Sequence, residues 1–479
     1  MKRSISLLLA ALLLASVSCG DSGTASGSDT TAADTTTAAP VDTSRLGELG
    51  EQDFGGKTFT ILDANDYPDM HINMPGDEMN GDIINDALFE RDGKIEDLFN
   101  VDIKYEQITN ATNGINTLRS SELAGDGIYN LCISTVCGGR LATLATEGIL
   151  ANLCAIPNLT LDANWWSRLM YENCRLGDKM YFTTGDISPT VYQTPGCIYL
   201  NQKLLVDYQI DTDFYQLVRD GKWTVDELLN VTRDAAIDVN QDGAMKVGDD
   251  FFGMIYLTNA VTSSIMLVGC GESLLANDGQ NLSVALNSER LADVVEKIRE
   301  VSEPVSYSKQ STVFDLTFKV DKAIAGVNCV EIAITDLRDM ESDYLVLPMP
   351  KFDEAQEGYR SMLNGWADCF VAVPKGAEAE FTGFITEALA YESYASVRPK
   401  VYDLVLKQKG ARDEGSAEML DIIFNTTYLD FMGIYEFASL PTGMANVLFK
   451  DRPLASTLAS YQTKAETAIA SFVENWIQE

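Results

Sequence analysis

The strongest constraint on this chain is an alternation of strand and helix patterns that begins near residue 56. "GKTFTILDA" (56–64) has the period-two pattern of a strand. "NGDIINDALFERDGKIEDLFN" follows and places Ile84, Ala87, Leu88, Ile95, Leu98 and Phe99 on one helical face. "VDIKYEQI" predicts the next strand, "NTLRSSELAG" a second helix and "YNLCIST" (129–135) a third strand. Such a repeat needs right-handed crossovers and gives a mostly parallel sheet in an α/β fold. The alternation continues with "RLATLATEGILANL" as a helix and "GCIYLN" (196–201) as a strand. "GKWTVDELLNVTRDAAID" then predicts a helix opened by a Thr224/Glu227 capping box, with Trp223 before it as a packing residue.

Later segments keep the mixture. "NSERLADVVEKIREVSE" predicts a helix starting at Asn287 or Ser288, and "KAIAGVNCVEIAITDL" a short strand then a helix. "DYLVLPMPK" and "CFVAVPKGAE" predict strands, and "EAEFTGFITEALAYESYASV" a long helix. Two helices around "SAEMLDIIFNT" and "TLASYQTKAETAIASFVENWIQ" close the chain. No internal repeat is present. The body is too long for one core and suffices for two lobes.

The formal charge is −36, from 35 basic and 71 acidic residues, which argues against nucleic acid as a partner. A neutral ligand, a cation or a glycan suits such a surface. Beyond Cys19, the cysteines are 132, 137, 154, 174, 197, 270, 329 and 369, without a C-x-x-C pair, so zinc ribbons and thioredoxin-like redox chemistry are not expected. Several sit in apolar strand-like runs, leaving buried thiols and disulfides both open. His71 is the single histidine, which excludes multi-histidine metal sites.

The N-terminus, "MKRSISLLLAALLLASVSC", has two basic residues, an apolar run too short to span a bilayer, and small residues up to Cys19. It reads as an export signal (1–18). The small residues before Cys19 resemble the lipobox of bacterial lipoproteins, although Ser16 stands where such boxes usually carry Leu. The resemblance implies lipidation of Cys19. The Ser-, Thr-, Gly- and Ala-rich stretch that follows cannot bury enough apolar area to fold, so 19–50 is expected to be a lipidated cysteine and disordered tether. The protein is then an exported bacterial lipoprotein, held to the membrane by its lipid anchor only.

"ATEGILANL", "CIYLNQKLLVDYQI", "GKWTVDELLNVTRDA", "KAIAGVN", "DYLVLPMPK" and "ALAYESYASV" resemble segments of the extracellular solute-binding lipoproteins of ATP-binding-cassette importers, most closely the large carbohydrate-binding branch. The resemblance extends from residue 56 to about residue 431. It implies the α/β two-lobed fold of periplasmic binding proteins (class II), with multiple crossovers and a ligand cleft between the lobes. On that reading the first lobe holds 51–190 and about 362–400, and the second holds 191–361 and about 401–479. The first crossover is expected in "FTTGDISPTVYQTPG" (182–196). The partners implied are a small carbohydrate ligand and an ATP-binding-cassette permease, with the protein a monomer.

A sugar-binding cleft needs aromatic faces for the apolar side of the ring and planar amides or carboxylates for its hydroxyls. "NGWAD" (364–368) offers Asn364 and Trp366, the strongest candidate. "NWWSRL" offers Trp165 and Trp166, one expected to pack and one to face the cleft. Asp186 and Tyr192 lie on the expected crossover. Thr135 ends the third strand, where open parallel sheets place ligands. Asn328 and Glu331 end a similar run in the second lobe.

One motif stands apart. In "AAIDVNQDGAMKVGDDFF" (235–252), counting from Asp238, oxygen-bearing side chains fall at positions one, three and five (Asp238, Asn240, Asp242), and Gly243 turns the chain at six. Ala244 offers a carbonyl at seven, and Asp249 a carboxylate at twelve. This resembles the EF-hand-like calcium loops of dockerins. Two departures are Asp instead of Glu at position twelve and Lys246 at position nine. A helix should enter the loop and a strand, "FFGMIYL", leave it, so the expected calcium is structural and not a switch. The runner-up functions are a surface glycoside hydrolase, for which no carboxylate pair stands out, and a carbohydrate-adhesion module, which a single loop does not favour.

Overall fold

The computed structural model describes residues 45–68, 70–285, 289–302, 313–406 and 414–478. The signal segment, Cys19, most of the tether, Asn287 and Ser288 lie outside the described residues. Arg45–Glu48, inside the segment expected to be disordered, forms a helical turn, and Leu46 and Leu49 pack against the core.

Strand β1 (Lys57–Asn65) buries Phe59, Ile61, Leu62 and Ala64, and therefore both its faces, as a central parallel strand must. Helix α1 (Ile83–Phe99) starts at Asp82, whose carboxylate accepts from the N–H groups of Ile84 (3.0 Å) and Asn85 (2.9 Å). It ends at Asn100 in a left-handed conformation, φ 49°. Its Ile84, Ala87, Leu88, Ile95 and Phe99 are buried; Leu98, expected on the same face, is exposed. Strand β2 (Val101–Thr109), helix α2 (Ala111–Ala124) and strand β3 (Leu131–Thr135) complete the unit, with β2 and β3 both parallel to β1. The "RLATLATEGILANL" helix is brief, Leu141–Thr146, because Leu150 turns into a bridge with Pro374.

The chain then crosses to a second sheet. Residues 182–196 form no surface loop: every one is buried. Strand β4 (Gly196–Asn201) follows, and helix α3 (Val225–Thr232) is shorter than the sequence pattern suggests. Thr224 is its N-cap, but the hydroxyl makes no capping bond; Thr224 instead pairs with Lys351, and the Val225 N–H donates to the Lys351 carbonyl at 2.8 Å. Trp223 is fully buried and donates from Nε1 to the Pro348 carbonyl at 2.9 Å. Strands β5 (Phe252–Ile255), β6 (Ala323–Cys329) and β7 (Tyr344–Pro348) complete the sheet in the order β5-β6-β4-β7. Here the parallel expectation fails. β4 is antiparallel to both neighbours, because it arrives from the first sheet and not through a helix of its own. After β6 a single 3-10 turn, Val330–Ala333, replaces the expected helix.

Strand β8 (Ser361–Met362) leads back, and β9 (Cys369–Ala372) joins the first sheet antiparallel to β3. Helix α4 (Ala379–Glu392) runs through a π-helical turn, Ser393–Val397, into α5 (Arg398–Leu406). Helix α6 (Glu414–Asn425) and strand β10 (Thr427–Tyr428) follow, and α7 (Leu454–Gln478) closes the chain. Two further helices, Phe431–Tyr435 and Leu440–Phe449, were not anticipated. The crossing segments lie side by side: β8 pairs with β10, Pro195 bridges Leu363, and the Asn364 N–H donates to the Thr194 carbonyl at 3.1 Å. All eight described cysteines are free thiols, buried except Cys154.

Candidate functional site

The carboxyl end of β1 sits between its two parallel neighbours, and the loop behind it is tightly built. Asn65 donates to the His71 carbonyl (2.7 Å) and accepts from the Tyr67 N–H (2.9 Å). Asp66 accepts from the N–H of Ala111, the first residue of α2, at 2.8 Å, and pairs through its other oxygen with Arg140. Arg140, in the turn after β3, also donates to the Thr135 hydroxyl and reaches the Trp366 carbonyl at 3.5 Å. One guanidinium thus ties the ends of β1 and β3 to the segment that returns from the second sheet. Thr135 is buried and engaged by Arg140, so it positions that guanidinium.

Trp366 is 40% exposed and so is not a core residue. Its six-membered ring lies on Gly138: a Cβ there would stand 2.5 Å from Cζ3, and φ of +71° also suits glycine. The indole N–H donates to Glu436 Oε1 at 3.1 Å, and the Arg140 guanidinium stands 5.9 Å from the ring centroid. Asn364 holds the turn by accepting from the Trp366 backbone N–H at 3.2 Å. Tyr67, 56% exposed, adds a second accessible aromatic ring behind β1.

The second sheet contributes Glu331, in the turn after β6. Its N–H donates to the Gln193 carbonyl (2.8 Å), and its carboxylate meets His71 Nε2 at 3.1 Å. Asn328 lies further back in β6, its amide oxygen accepting from the Cys329 N–H at 2.8 Å. Beneath the loops runs a buried polar chain. Ser188 donates to Asn73 (2.7 Å) and lies 2.8 Å from the Thr190 hydroxyl, which donates to Asp368 Oδ1 (2.7 Å). Burial pushes the Asp368 carboxyl up to about 7, against the opposing bond from Thr190. Asp63 is raised to about 6 by the same cause, moderated by bonds from Gln107 and Asn73.

The other candidates lie elsewhere. Trp166 is buried and donates to Glu387 at 3.0 Å; Trp165 packs edge-on against Tyr391 with centroids 5.2 Å apart. The Tyr192 hydroxyl donates to Asp186, whose carboxyl burial raises to about 8, opposed by the Arg398 charge. Trp166, Asp186 and Tyr192 line a cavity of about 190 Å³ that shares no lining residue with the Trp366 group. The sequence reading missed Asp66, Tyr67, Arg140 and Glu436. The rule that ligands collect beyond the carboxyl ends of parallel strands points to the first three; nothing in the sequence marks Glu436.

The 238–249 loop also differs from its count. Helix α3 stops at Thr232, short of it, and β5 leaves it as expected. Asp238, Asn240 and Asp242 accept from the N–H groups of Gly243 (2.8 Å), Asp242 (2.9 Å) and Ala244 (2.9 Å). Lys246 pairs with Asp242 and, with the Ala244 N–H, holds its carboxyl below the usual range. Asp250, and not Asp249, closes the loop, accepting from the N–H groups of Val239 (2.9 Å) and Lys246 (2.7 Å). The donor set fits a hard cation in kind, and Asp238 Oδ1 is buried without a partner. Among the described residues no three acidic, histidine or cysteine side chains converge as a metal-holding group, and the Lys246 ammonium pairs with Asp242.

No family profile and no curated protein matches the chain. Solved structures do. The cyclic α-maltosyl-1,6-maltose binding protein of Arthrobacter globiformis superposes with a TM-score of 0.58 at 14% identity, over 88% of this chain and 100% of that one. The galacto-N-biose-/lacto-N-biose I-binding protein of the ABC transporter from Bifidobacterium longum, in complex with lacto-N-biose, gives 0.57 at 13%, over 88% and 99%. An ABC substrate-binding protein from Listeria monocytogenes in complex with cycloalternan gives 0.56 at 10%, over 87% and 99%. Likeness at such identities is a likeness of fold, and the fold is the two-lobed α/β architecture of maltose-binding-protein-like solute-binding proteins.

Proposed function

We propose that this protein captures a sugar or oligosaccharide between its lobes and delivers it to an ATP-binding-cassette permease. The observation that carries the reading is Trp366: an accessible indole, backed by Gly138 and flanked by Arg140, Asp66 and Glu436. An indole face covers the apolar side of a pyranose, and a guanidinium and carboxylates bind its hydroxyls. The similar solved structures support the reading: they include two sugar-binding proteins, one of them of an ABC transporter, and an ABC substrate-binding protein in complex with cycloalternan. The test is calorimetric titration with neutral oligosaccharides, with the recovered sugar analysed for cleavage. Binding with intact sugar supports capture. Released product makes the protein a hydrolase, and no binding removes the sugar.

The same reading takes the protein to be lipidated on Cys19 and held at the membrane by that anchor alone; no helix among the described residues is long and apolar enough to cross one. The 238–249 loop is proposed as a structural calcium clip held by Asp238, Asn240, Asp242, the Ala244 carbonyl and Asp249. Its support is the run of hard oxygen donors and the unpaired Asp238 oxygen; the ion has to displace the Lys246 ammonium from Asp242.

A further inference from the structure

We propose that the cavity beside the crossing segments is a second small-molecule site, distinct from the Trp366 cleft, and that it takes a small neutral polyhydroxylated molecule. Its walls come from the 162–169 loop, the 185–192 crossover, Arg398 at the head of α5, and the junction of α6 and β10. A cavity of about 150 Å³ accommodates benzene, so the roughly 190 Å³ here suits a ligand on the order of eight non-hydrogen atoms. None of Asp66, Tyr67, His71, Arg140, Glu331 and Trp366 lines it, so the proposal does not depend on what the cleft binds.

The lining selects the ligand class. Arg398 Nη1 and Asp186 Oδ2 face each other at 4.0 Å, too far for a direct hydrogen bond. A ligand hydroxyl set between them accepts from the guanidinium and bonds the carboxyl in either protonation state, donating to it or accepting from it. Ser167 lines the cavity and is 9% exposed, and its Oγ has no hydrogen-bond partner. A buried hydroxyl left unpaired is costly, and a ligand hydroxyl satisfies it. Asn425 adds an amide, and Phe424 and the Tyr192 ring supply the apolar faces that a polyol's carbon chain needs. Asn164 and Arg168, both exposed, mark the mouth.

The crossover gives the site a connection to the cleft. Along it, Asp186 and Tyr192 line the cavity, while Ser188 and Thr190 between them hold Asn73 and Asp368 beneath the β1 loop. An occupant therefore bears on the same short segment that braces the floor of the cleft.

Erythritol is the probe. Polyols stabilise any protein as excluded solutes, without saturation, so the readout is a saturable rise in melting temperature and a calorimetric heat, compared between variants. The wild-type protein should show both, and Ser167→Ala should weaken the apparent affinity at least tenfold; if that variant does not fold, Thr427→Val serves in its place. Trp366→Ala should keep the erythritol response. A response that never saturates, one unchanged by both Ser167→Ala and Thr427→Val, or one lost in Trp366→Ala overturns the second site. Difference density for erythritol between Ser167 and Arg398 in soaked crystals would support it.

Discussion

His71 Nε2 lies 3.1 Å from Glu331 Oε2, joining the loop behind β1 of the first sheet to the turn after β6 of the second across 260 positions of sequence. The imidazole is almost fully buried, with Tyr67 edge-on at 5.8 Å and Asp368 near enough to feel its charge. A movement that parts these two loops breaks this contact. Glu331→Ala should therefore shift the ligand-free protein toward an open form, read as a larger radius of gyration in X-ray scattering. An unchanged radius would mean that the contact does not hold the lobes together.

Trp366→Ala should leave the fold intact, since the ring is partly exposed, and lose at least ~2 kcal/mol of sugar affinity, roughly a factor of 30. Gly138→Ala should weaken binding by displacing the ring it supports. Calorimetry and melting curves on both variants check this; unfolding of Trp366→Ala without ligand would return the residue to the core.

Three buried carboxyls make stability depend on pH. Asp63, Asp368 and Asp186 are raised to about 6, 7 and 8 in the folded protein, against an ordinary 3.8. The folded state thus binds more protons than the unfolded chain between about pH 4 and pH 8, and stability falls as pH rises through that window. The melting temperature should be higher at pH 5 than at pH 8, and Asp186→Asn should flatten the profile at its upper end. A profile rising from pH 5 to pH 8 would contradict these assignments.

Calcium should raise the melting temperature of the chelator-treated protein, and Asp242→Ala should abolish the rise, because it removes both a hard donor and the partner of Lys246. Sugar specificity should not change. Absence of heat and of stabilisation at millimolar calcium would leave the loop an Asx-rich turn held by Lys246.

Cys19→Ala should release the protein from membranes with its sugar affinity unchanged, since a lipid chain supplies the anchoring. Fractionation followed by a salt wash checks it, and persistent membrane association would count against the lipid anchor.

Local pattern carried much of the architecture. The period of two in residues 57–65 and the spacing of Ile84, Leu88 and Ile95 are properties of neighbouring residues, so β1 and α1 could be read without partners. The α/β class followed from such pieces in order, whereas the crossover near 182–196 was an expectation of the family resemblance. What the chain alone could not show is which residues meet. Trp366 was identifiable by type, yet its setting on Gly138, Arg140 and Glu436 is made by contacts across 70 and 226 positions. Asp186, Tyr192 and Trp166 looked like cleft residues and instead share a separate cavity, because Ser188 and Thr190 take the opposite face of the crossover. In the acidic loop, counting points to Asp249 as a donor, while the bonds that the N–H groups of Val239 and Lys246 make to Asp250 beside it were not legible. Periodicity is set by covalent neighbours and survives in a linear reading; the composition of a site is set by long-range hydrogen bonds and packing, which exist only once the sheets and crossings have formed.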